Sequence, residues 1–226
     1  GHPVYCIRSG KAGTFIGTSR QLFEVVGEVA KGSSFVRGAA VRTLLLDSRG
    51  SVWAGQDPGG LRRIRPREET LDRSGGLPGD SVKSLFEDRE GNLWVGLSGS
   101  GLARLGDGAA TGIGVVVDGV GVATLPVVSD GADGVFVGTR CEGVAHVDAS
   151  GVRFLGGEDG RLRECVWSLL AGEEGDLWIG TFGRGLLRRR SDGRVERIGG
   201  PVSGGKVIRA IGRRGGRILA GGDDGV

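Results

Sequence analysis

One pattern recurs six times along the chain, and it constrains the fold more than any other feature of the sequence. Each repeat carries a glycine two residues after a large apolar or aromatic residue, and we call these the ruler glycines: Gly17, Gly55, Gly96, Gly138, Gly180 and Gly221. They are spaced 38, 41, 42, 42 and 41 residues apart. A near-constant period of about 40–45 residues, with about four short strands in each unit, is typical of the blades of a β-propeller.

Residues 82–105 show one unit of this pattern most clearly. Two strand-forming runs flank Asp88–Gly91, whose aspartate in the first position and glycine in the fourth suit a type I turn. Trp94 lies in the second run, where a large aromatic residue favours a strand, and a third run follows another tight turn. Three such strands cannot bury their own faces, so each unit needs neighbours like itself.

We therefore predict an all-β fold, a single β-propeller of four-stranded antiparallel blades over residues 1–226. About six repeats of 41–42 residues place the blades at approximately 4–40, 41–81, 82–121, 122–165, 166–206 and 207–226. In the third blade the outer strand is expected near 113–117. The last blade is incomplete, because its repeat stops at Val226 before a third strand. We expect an open ring, a piece of a longer chain, or a homo-oligomer in which another copy completes the blade.

The composition agrees with such a fold and narrows the possible partners. Glycine makes up 48 of 226 residues, which argues against long helices because an interior glycine costs about 1 kcal/mol in a helix. The net charge is only +3, and no basic run is long enough to dominate the surrounding field, so no nucleic-acid partner is expected. No run approaches 18 apolar residues, so we predict no membrane segment, and the chain shows no signal peptide.

Residues that could carry chemistry do not form a recognisable catalytic or metal-binding set. Cys6, Cys141 and Cys165 lack a CxxC spacing, which favours buried or unpaired thiols over a zinc site. A Cys141–His146 nucleophilic pair would lack an orienting third group. The adjacent acids Glu173-Glu174 and Asp223-Asp224 lie in predicted hairpin turns, where carboxylates usually face solvent. We predict no catalytic residues, no metal and no cofactor.

The aromatic residues divide into two groups. Trp53, Trp94, Phe136 and Trp178 recur at one position of the repeat, which favours packing between blades over a ligand platform. Trp167 is outside that register and lies where other copies carry Arg42, Lys83 or Ala123. This position makes Trp167 the better candidate for a ligand contact.

The motif V-x-S-L-x-E-D-x-x-G-N-L-W-V-G-x-x-x-x-G-L-x-R-L resembles the two-component regulator propeller repeat. It is matched at Val82, Ser84, Leu85, Glu87, Asp88, Gly91, Asn92, Leu93, Trp94, Gly96, Gly101 and Leu102. Residues 166–189 match closely, with Ala171-Gly172 in place of the acidic pair. The second copy keeps Asp47, Gly50, Trp53 and Gly55.

The resemblance implies a function as well as a fold. Repeats of this family typically build seven-bladed propellers in the extracytoplasmic part of sensor kinases and related signalling proteins, many of which respond to carbohydrates. It therefore implies a periplasmic or extracellular, non-catalytic sensor module that takes part in signal transduction. This chain differs in having about five and a half repeats, no transmembrane segment and no output domain. The family has no common catalytic set, so none is transferred.

Three functions follow in order of preference. The first is a ligand-sensing propeller that binds an anionic or carbohydrate small molecule. The second is a scaffold whose partner is another protein. The third is a propeller-based polysaccharide lyase or hydrolase, since a fold alone excludes no activity.

A candidate ligand site comes from loops that vary between the copies while the turn glycines and core aromatics repeat. Variable loop positions on a repeated scaffold are released from the common packing role and often bind ligands. Guanidinium groups suit carboxylate or sulfate, and aromatic faces suit sugar rings. The predicted ligand-binding residues, expected on one face of the propeller near its central channel, are Arg42, Lys83, Arg140, Glu142, Trp167, Phe182 and Arg184.

Overall fold

Each four-stranded sheet in the described part of the chain joins strands that follow one another in sequence, and each pair runs antiparallel. The computed structural model describes residues 2–106, 109–156, 162–199 and 207–223. The chain divides into two compact units, unit 1 (Gly1–Val116) and unit 2 (Val117–Val226). The described residues contain no helix that is long and apolar enough to cross a membrane.

Unit 1 contains three four-stranded sheets, which we call blades 1 to 3. Their strands are β1 (Val4–Gly10), β2 (Gly13–Thr18), β3 (Gln21–Val26), β4 (Val29–Arg37), β5 (Ala40–Leu46), β6 (Val52–Asp57), β7 (Gly60–Arg65), β8 (Glu69–Leu71), β9 (Val82–Glu87), β10 (Leu93–Leu97), β11 (Leu102–Gly106) and β12 (Ala109–Ile113). Two further short strands, β13 (Val116–Val117) and β14 (Val120–Gly121), form a separate two-stranded sheet.

Unit 2 contains two four-stranded sheets, blades 4 and 5, and a two-stranded sheet, blade 6. Their strands are β15 (Thr124–Ser129), β16 (Val135–Thr139), β17 (Val144–Asp148), β18 (Gly151–Leu155), β19 (Val166–Ala171), β20 (Leu177–Thr181), β21 (Leu186–Arg189), β22 (Val195–Arg197), β23 (Ile208–Arg214) and β24 (Arg217–Gly222). A 3-10 turn at Glu173–Gly175 precedes β20. These sheets confirm the predicted all-β fold of antiparallel blades.

The outer strand of blade 3 is not where the sequence suggested. The prediction near 113–117 is wrong, because β12 covers Ala109–Ile113 and pairs Ala109 with Gly106 at its start. The apolar run that prompted the prediction serves the core and a different sheet instead. Val115 is fully buried, and Val116–Val117 forms β13.

The hydrophobic core lies between neighbouring blades. One cluster joins Phe15, Leu22 and Val36 of blade 1 to Val41 and Leu44 of blade 2. A second joins blade 2 to blade 3, and a third joins blade 4 to blade 5. Each of these blades therefore buries its faces by packing on the next one, as expected for stacked repeats.

Two of the recurring tryptophans, Trp53 and Trp94, are buried and have an aspartate partner. Trp53 and Trp94 are 8% and 4% exposed. In each case the indole Nε1 donates to an aspartate six residues earlier, from Trp53 to Asp47 Oδ2 and from Trp94 to Asp88 Oδ2, both at 2.8 Å. A buried indole N–H needs an acceptor, so the recurring spacing of aspartate and tryptophan within the repeat has a physical cause.

The same aspartate also closes the turn that precedes the tryptophan. Asp88 Oδ1 accepts the backbone N–H of Asn92 at 2.8 Å, and the Asn92 amide donates to both carboxylate oxygens. Burial alone would raise the pKa of Asp88, but the hydrogen bonds from Asn92 and Trp94 lower it below the ordinary value. One carboxylate thus fixes both the turn and the core aromatic residue.

Blade 4 preserves this contact with different residues. Phe136 stands at the tryptophan position and has no N–H to offer. His146, which pairs with Phe136 across the strands, is 5% exposed and lies 2.7 Å from Asp130 through its Nε2 atom. The two rings lie 4.9 Å apart. His146 is therefore a structural donor that replaces the missing indole.

Four of the ruler glycines, Gly17, Gly55, Gly138 and Gly180, mark where one blade approaches the next. A Cβ added to Gly55 would lie 2.5 Å from Val82 Cγ1 of blade 3 and 2.6 Å from Thr43 Cγ2. In unit 2, a Cβ on Gly180 would lie 2.8 Å from the backbone oxygen of Ile208. The first strand of each following blade can pass this closely only because the position has no side chain.

Replacement of Trp94 by phenylalanine tests the aspartate contact. Trp94→Phe keeps an aromatic ring but removes the indole N–H that donates to Asp88 Oδ2, so we expect a loss of about 1–3 kcal/mol in unfolding free energy. Trp178→Phe is the matched control, because Gly172 stands six residues before Trp178 in place of the aspartate. Urea denaturation of both variants should show the larger loss for Trp94→Phe, and equal losses would contradict the role of Asp88.

Replacement of a ruler glycine tests the close approach of the blades. Gly55→Ala should lower the unfolding free energy by about 1–3 kcal/mol, since the added methyl group overpacks the contact with Val82. Gly212→Ala is the control, because a Cβ at this strand position would meet no atom within 4 Å. Thermal denaturation that shows no difference between the two variants would mean that the approach is not tight.

Candidate functional site

The first strand of each blade contains the same irregularity. In blade 2, Val41 pairs with Gln56 and Thr43 with the ruler glycine Gly55, so Arg42 has no partner opposite it. The register shifts at the equivalent place in all six blades. We call the extra residues the bulge residues: Tyr5, Arg42, Lys83, Leu125, Trp167 and Arg209. A β-bulge turns its side chain away from the regular alternation, and bulges are frequent beside functional sites.

Three of the predicted site residues are therefore equivalent positions of the fold, namely Arg42, Lys83 and Trp167. The predicted equivalence with Ala123 is wrong, because the shift in blade 4 lies between Thr124 and Val127. Pro126 approaches the ruler glycine Gly138 as Thr43 approaches Gly55, which leaves Leu125 as the extra residue.

In unit 1 the bulge residues of adjacent blades meet on one carboxylate. Asp57, at the end of β6, lies 3.4 Å from Arg42 Nε through its Oδ2 atom and forms an ion pair with the Lys83 ammonium through the same atom. Its other oxygen accepts the Ser81 hydroxyl at 2.6 Å. The Arg42 guanidinium also lies 4.2 Å from the centre of the Tyr5 ring, a cation–π contact.

These partners change the acidity of Asp57. Burial alone would raise its pKa, but the hydrogen bonds from Lys83 and Ser81 and the charges of Lys83 and Arg42 lower it below the ordinary value. The cluster therefore carries two cations and one firmly ionised carboxylate.

In unit 2 the bulge position carries an exposed aromatic residue. Trp167 in β19 and Phe182 just after β20 are 43% and 51% exposed. Their ring centres are 6.3 Å apart and the ring planes are tilted by 38°. Arg209, the bulge residue of blade 6, lies with its guanidinium 5.2 Å from the Trp167 ring centre and pairs with Asp223 at 2.6 Å.

A second arginine, Arg184, lies two residues after Phe182 in sequence. Arg184 Nε is 2.8 Å from Glu164 Oε1, and the Arg184 backbone N–H donates to Thr181 Oγ1 at 3.0 Å. The backbone N–H of Phe182 donates to the Cys165 carbonyl at 2.9 Å, and this hydrogen bond fixes the position of Phe182. Two arginine–carboxylate pairs thus accompany the two exposed aromatic rings.

The cysteines were predicted incorrectly. The expectation of buried or unpaired thiols is wrong for Cys141 and Cys165, which form a disulfide. It holds for Cys6, whose pKa burial raises to about 11. Cys141 is also not available as the nucleophile of a Cys141–His146 pair, since its sulfur is bonded and His146 serves Asp130.

Arg140 and Glu142 lie on either side of the disulfide. Both belong to the turn that follows β16, where the Arg140 N–H donates to the Ala123 carbonyl at 2.9 Å and the Glu142 N–H to Thr139 Oγ1 at 3.0 Å. The disulfide joins this turn to Cys165, next to Glu164 and the start of β19. Arg140 is exposed, and Glu142 is half-buried.

Sequence reasoning chose three residues that share the bulge position, Arg42, Lys83 and Trp167, but it did not identify several residues that contact the predicted site residues. Tyr5, Asp57, Glu164 and Arg209 take part in the contacts above and were not predicted as site residues. A signal for the bulge was available: the bulge residue lies 13 positions before the ruler glycine in copies two to five, and 12 before it in copies one and six. Counting back 13 positions from Gly17 and Gly221 gives Val4 and Ile208, one residue before Tyr5 and Arg209, so the count locates the bulge to within one position.

Two clefts of the molecule are not lined by bulge residues. A cleft of about 420 Å³ between blades 2 and 3 is lined by Trp53, Arg63, Glu90 and Arg104, among other residues. A cleft of about 310 Å³ lies beside Arg184, between Leu187, Val195 and Arg197. Among the described residues, no group of three or more histidine, cysteine, aspartate and glutamate side chains could hold a metal ion.

The comparisons with known proteins agree with the fold. Residues 76–99 match the family described as two component regulator propeller, which confirms the resemblance for the third repeat. No curated protein matches the chain significantly in sequence.

Solved structures match nearly the whole chain at low identity. The extracellular domain of BT4673 of B. thetaiotaomicron, described as a one-component system, is 18% identical with a TM-score of 0.75, over 99% of this chain and 38% of that one. Virginiamycin B lyase of Staphylococcus aureus is 16% identical with a TM-score of 0.75, over 93% and 74%. PorZ of Porphyromonas gingivalis is 16% identical with a TM-score of 0.73, over 98% and 37%. The chain thus spans less than two fifths of the BT4673 domain.

Replacement of Asp57 tests the unit 1 cluster by its pH dependence. Because the folded-state pKa of Asp57 is lowered, its contribution to stability is fully present above about pH 4 and is lost as the pH falls through the lowered pKa. Asp57→Asn should therefore unfold at lower urea concentration than the parent at pH 7.

The difference between parent and variant should shrink as the pH falls, because a protonated Asp57 resembles asparagine. Asp133→Asn, at an exposed loop residue, is the control and should follow the parent at every pH. A difference between Asp57→Asn and the parent that stays constant down to about pH 2 would contradict the ion-pair account.

Proposed function

We propose that this chain is a non-catalytic, ligand-sensing propeller of a signalling protein, and that its ligand binds in unit 2, at the bulge residue Trp167 and the neighbouring Phe182. One observation carries the proposal: Trp167 and Phe182 are large aromatic side chains that remain exposed, side by side, at positions that the core does not need. A paired exposed aromatic surface with polar groups beside it is the usual character of a ligand site. Such rings suit a sugar, and the arginines beside them suit an anionic group.

Three further observations support a sensor outside the cytoplasm. Residues 76–99 match the two-component regulator propeller family. One of the similar structures is an extracellular domain of a protein described as a one-component system. The Cys141–Cys165 disulfide suits an oxidising compartment, because disulfides are rare in cytosolic proteins. We propose a periplasmic or extracellular location on this basis.

Several side chains that could act in a lyase or hydrolase have structural partners. His146 is buried against Asp130, Glu173 pairs with Arg213, and Asp223 pairs with Arg209. The neighbouring Asp224 lies outside the described residues. The likeness to virginiamycin B lyase is at 16% identity and concerns the fold. We therefore propose binding without catalysis.

Binding to a glycan panel tests the proposed function. We expect the parent to bind at least one neutral or acidic oligosaccharide in isothermal titration calorimetry. Trp167→Ala, Phe182→Ala, Arg184→Ala and Arg140→Ala should each weaken that binding, with a loss of about tenfold or more for the aromatic residues, since tenfold corresponds to about 1.4 kcal/mol.

Two exposed residues of unit 2 serve as controls. Arg194→Ala removes an arginine that is 85% exposed and paired with Asp192, and Val152→Ala removes an exposed apolar side chain. Both should bind like the parent. If the four site variants also bind like the parent, the ligand site is elsewhere, and a parent that binds no member of the panel contradicts the proposed function.

A further inference from the structure

Arg209, which lies over Trp167, and Arg184, two residues after Phe182, are each matched by a carboxylate of the protein. Arg209 and Asp223 meet through two hydrogen bonds, from Nε to Oδ1 at 2.6 Å and from Nη2 to Oδ2 at 3.4 Å. Arg184 Nε meets Glu164 Oε1 at 2.8 Å. The local formal charge of these four side chains is therefore zero.

The backbone of Glu164 is held in place, and little of its side chain reaches solvent. Its side chain is only 16% exposed. Its backbone oxygen accepts the Gly143 N–H at 2.9 Å, its backbone N–H donates to the Leu162 carbonyl at 2.9 Å, and the neighbouring Cys165 is tied by the disulfide. An incoming anion would meet this carboxylate and that of Asp223, and like charges brought together across an interface are unfavourable.

A neutral sugar meets no such penalty. Each hydroxyl group can donate one hydrogen bond and accept two, whereas a carboxylate only accepts and a guanidinium only donates. An arginine–carboxylate pair therefore offers a hydrogen-bond donor and an acceptor to two neighbouring sugar hydroxyls. Arg209 and Arg184 each carry five N–H donors, of which the ion pairs use one or two.

The two rings provide the apolar part of the surface. Trp167 and Phe182 present faces inclined by 38° with centres 6.3 Å apart. The C–H face of a pyranose ring is apolar and can cover such a face, while its equatorial hydroxyls point outwards from the ring edge. Arg209, stacked 5.2 Å from the centre of Trp167, lies next to that edge.

We infer that this cluster of unit 2, formed by Trp167, Phe182, Arg184, Arg209, Glu164 and Asp223, binds a neutral pyranose and discriminates against acidic sugars. The inference rests on the proposed function and narrows it, since the sequence left an anionic ligand open. The Asp57 cluster of unit 1 differs in its charge, because Arg42 and Lys83 share a single carboxylate there.

The test uses glycan pairs that differ in charge on the same sugar backbone: linear galactan with polygalacturonate, cello-oligosaccharides with their C6-oxidised cellouronates, and xylan with glucuronoxylan. The parent should bind the neutral member of at least one pair about tenfold or more tightly than the acidic member. Trp167→Ala should abolish this binding.

Charge variants make the test specific to the two carboxylates. Glu164→Gln and Asp223→Asn keep the size of the side chains but remove the negative charges that neutralise Arg184 and Arg209. Each should weaken neutral-sugar binding, and the double variant should bind the acidic member more tightly than the parent does. Unchanged circular dichroism spectra and thermal midpoints of the variants would show that the fold is intact.

Two results would overturn the inference while leaving the proposed function in place. One is a parent that prefers the acidic member of every pair that it binds. The other is a double variant that binds neutral and acidic members as the parent does. Absence of binding to all six glycans would instead count against the proposed function itself, and the inference would fall with it.

Discussion

The structure depends on the close approach of one blade to the first strand of the next, which only glycine permits. The ruler glycines lie at this contact in both units, as Gly55 against Val82 and Gly180 against Ile208 show. The strand opposite each ruler glycine contains one residue too many, so the ladder is locally broken and the extra side chain is turned away from the regular alternation. The first strand of every blade therefore contains one bulge residue that has no partner opposite it in the ladder.

Function can be placed at those positions without disturbing the core. The core aromatics Trp53 and Trp94 and their partners Asp47 and Asp88 repeat because they serve the same contact in blades 2 and 3. The bulge residues differ in chemistry from copy to copy, from the lysine of blade 3 to the tryptophan of blade 5. Separation of these two roles explains how a strongly repetitive fold can carry a specific ligand site.

The fold was largely predictable from sequence because its determinants are local and repeated. The glycine period, the turn Asp88–Gly91 and the position of Trp94 recur, so each copy supports the interpretation of the others. The errors have a local origin too. The run 113–117 has the composition of a strand, but Val115 is buried in the core. That His146 takes the place of the missing indole donor beside Phe136 cannot be predicted without knowing that the two residues pair across the strands. The site was less predictable, because its partners Glu164 and Asp223, like the disulfide, depend on contacts between residues distant in sequence.

The central claim, that a ligand covers the bulge residues of unit 2, is tested most directly by the fluorescence of Trp167. It is exposed, whereas Trp53 and Trp94 are buried, so iodide should quench Trp167 preferentially. A glycan that binds the protein should protect this fluorescence from iodide, and the protection should vanish in Trp167→Phe. A glycan that binds with equal affinity but leaves the quenching by iodide unchanged would contradict the account.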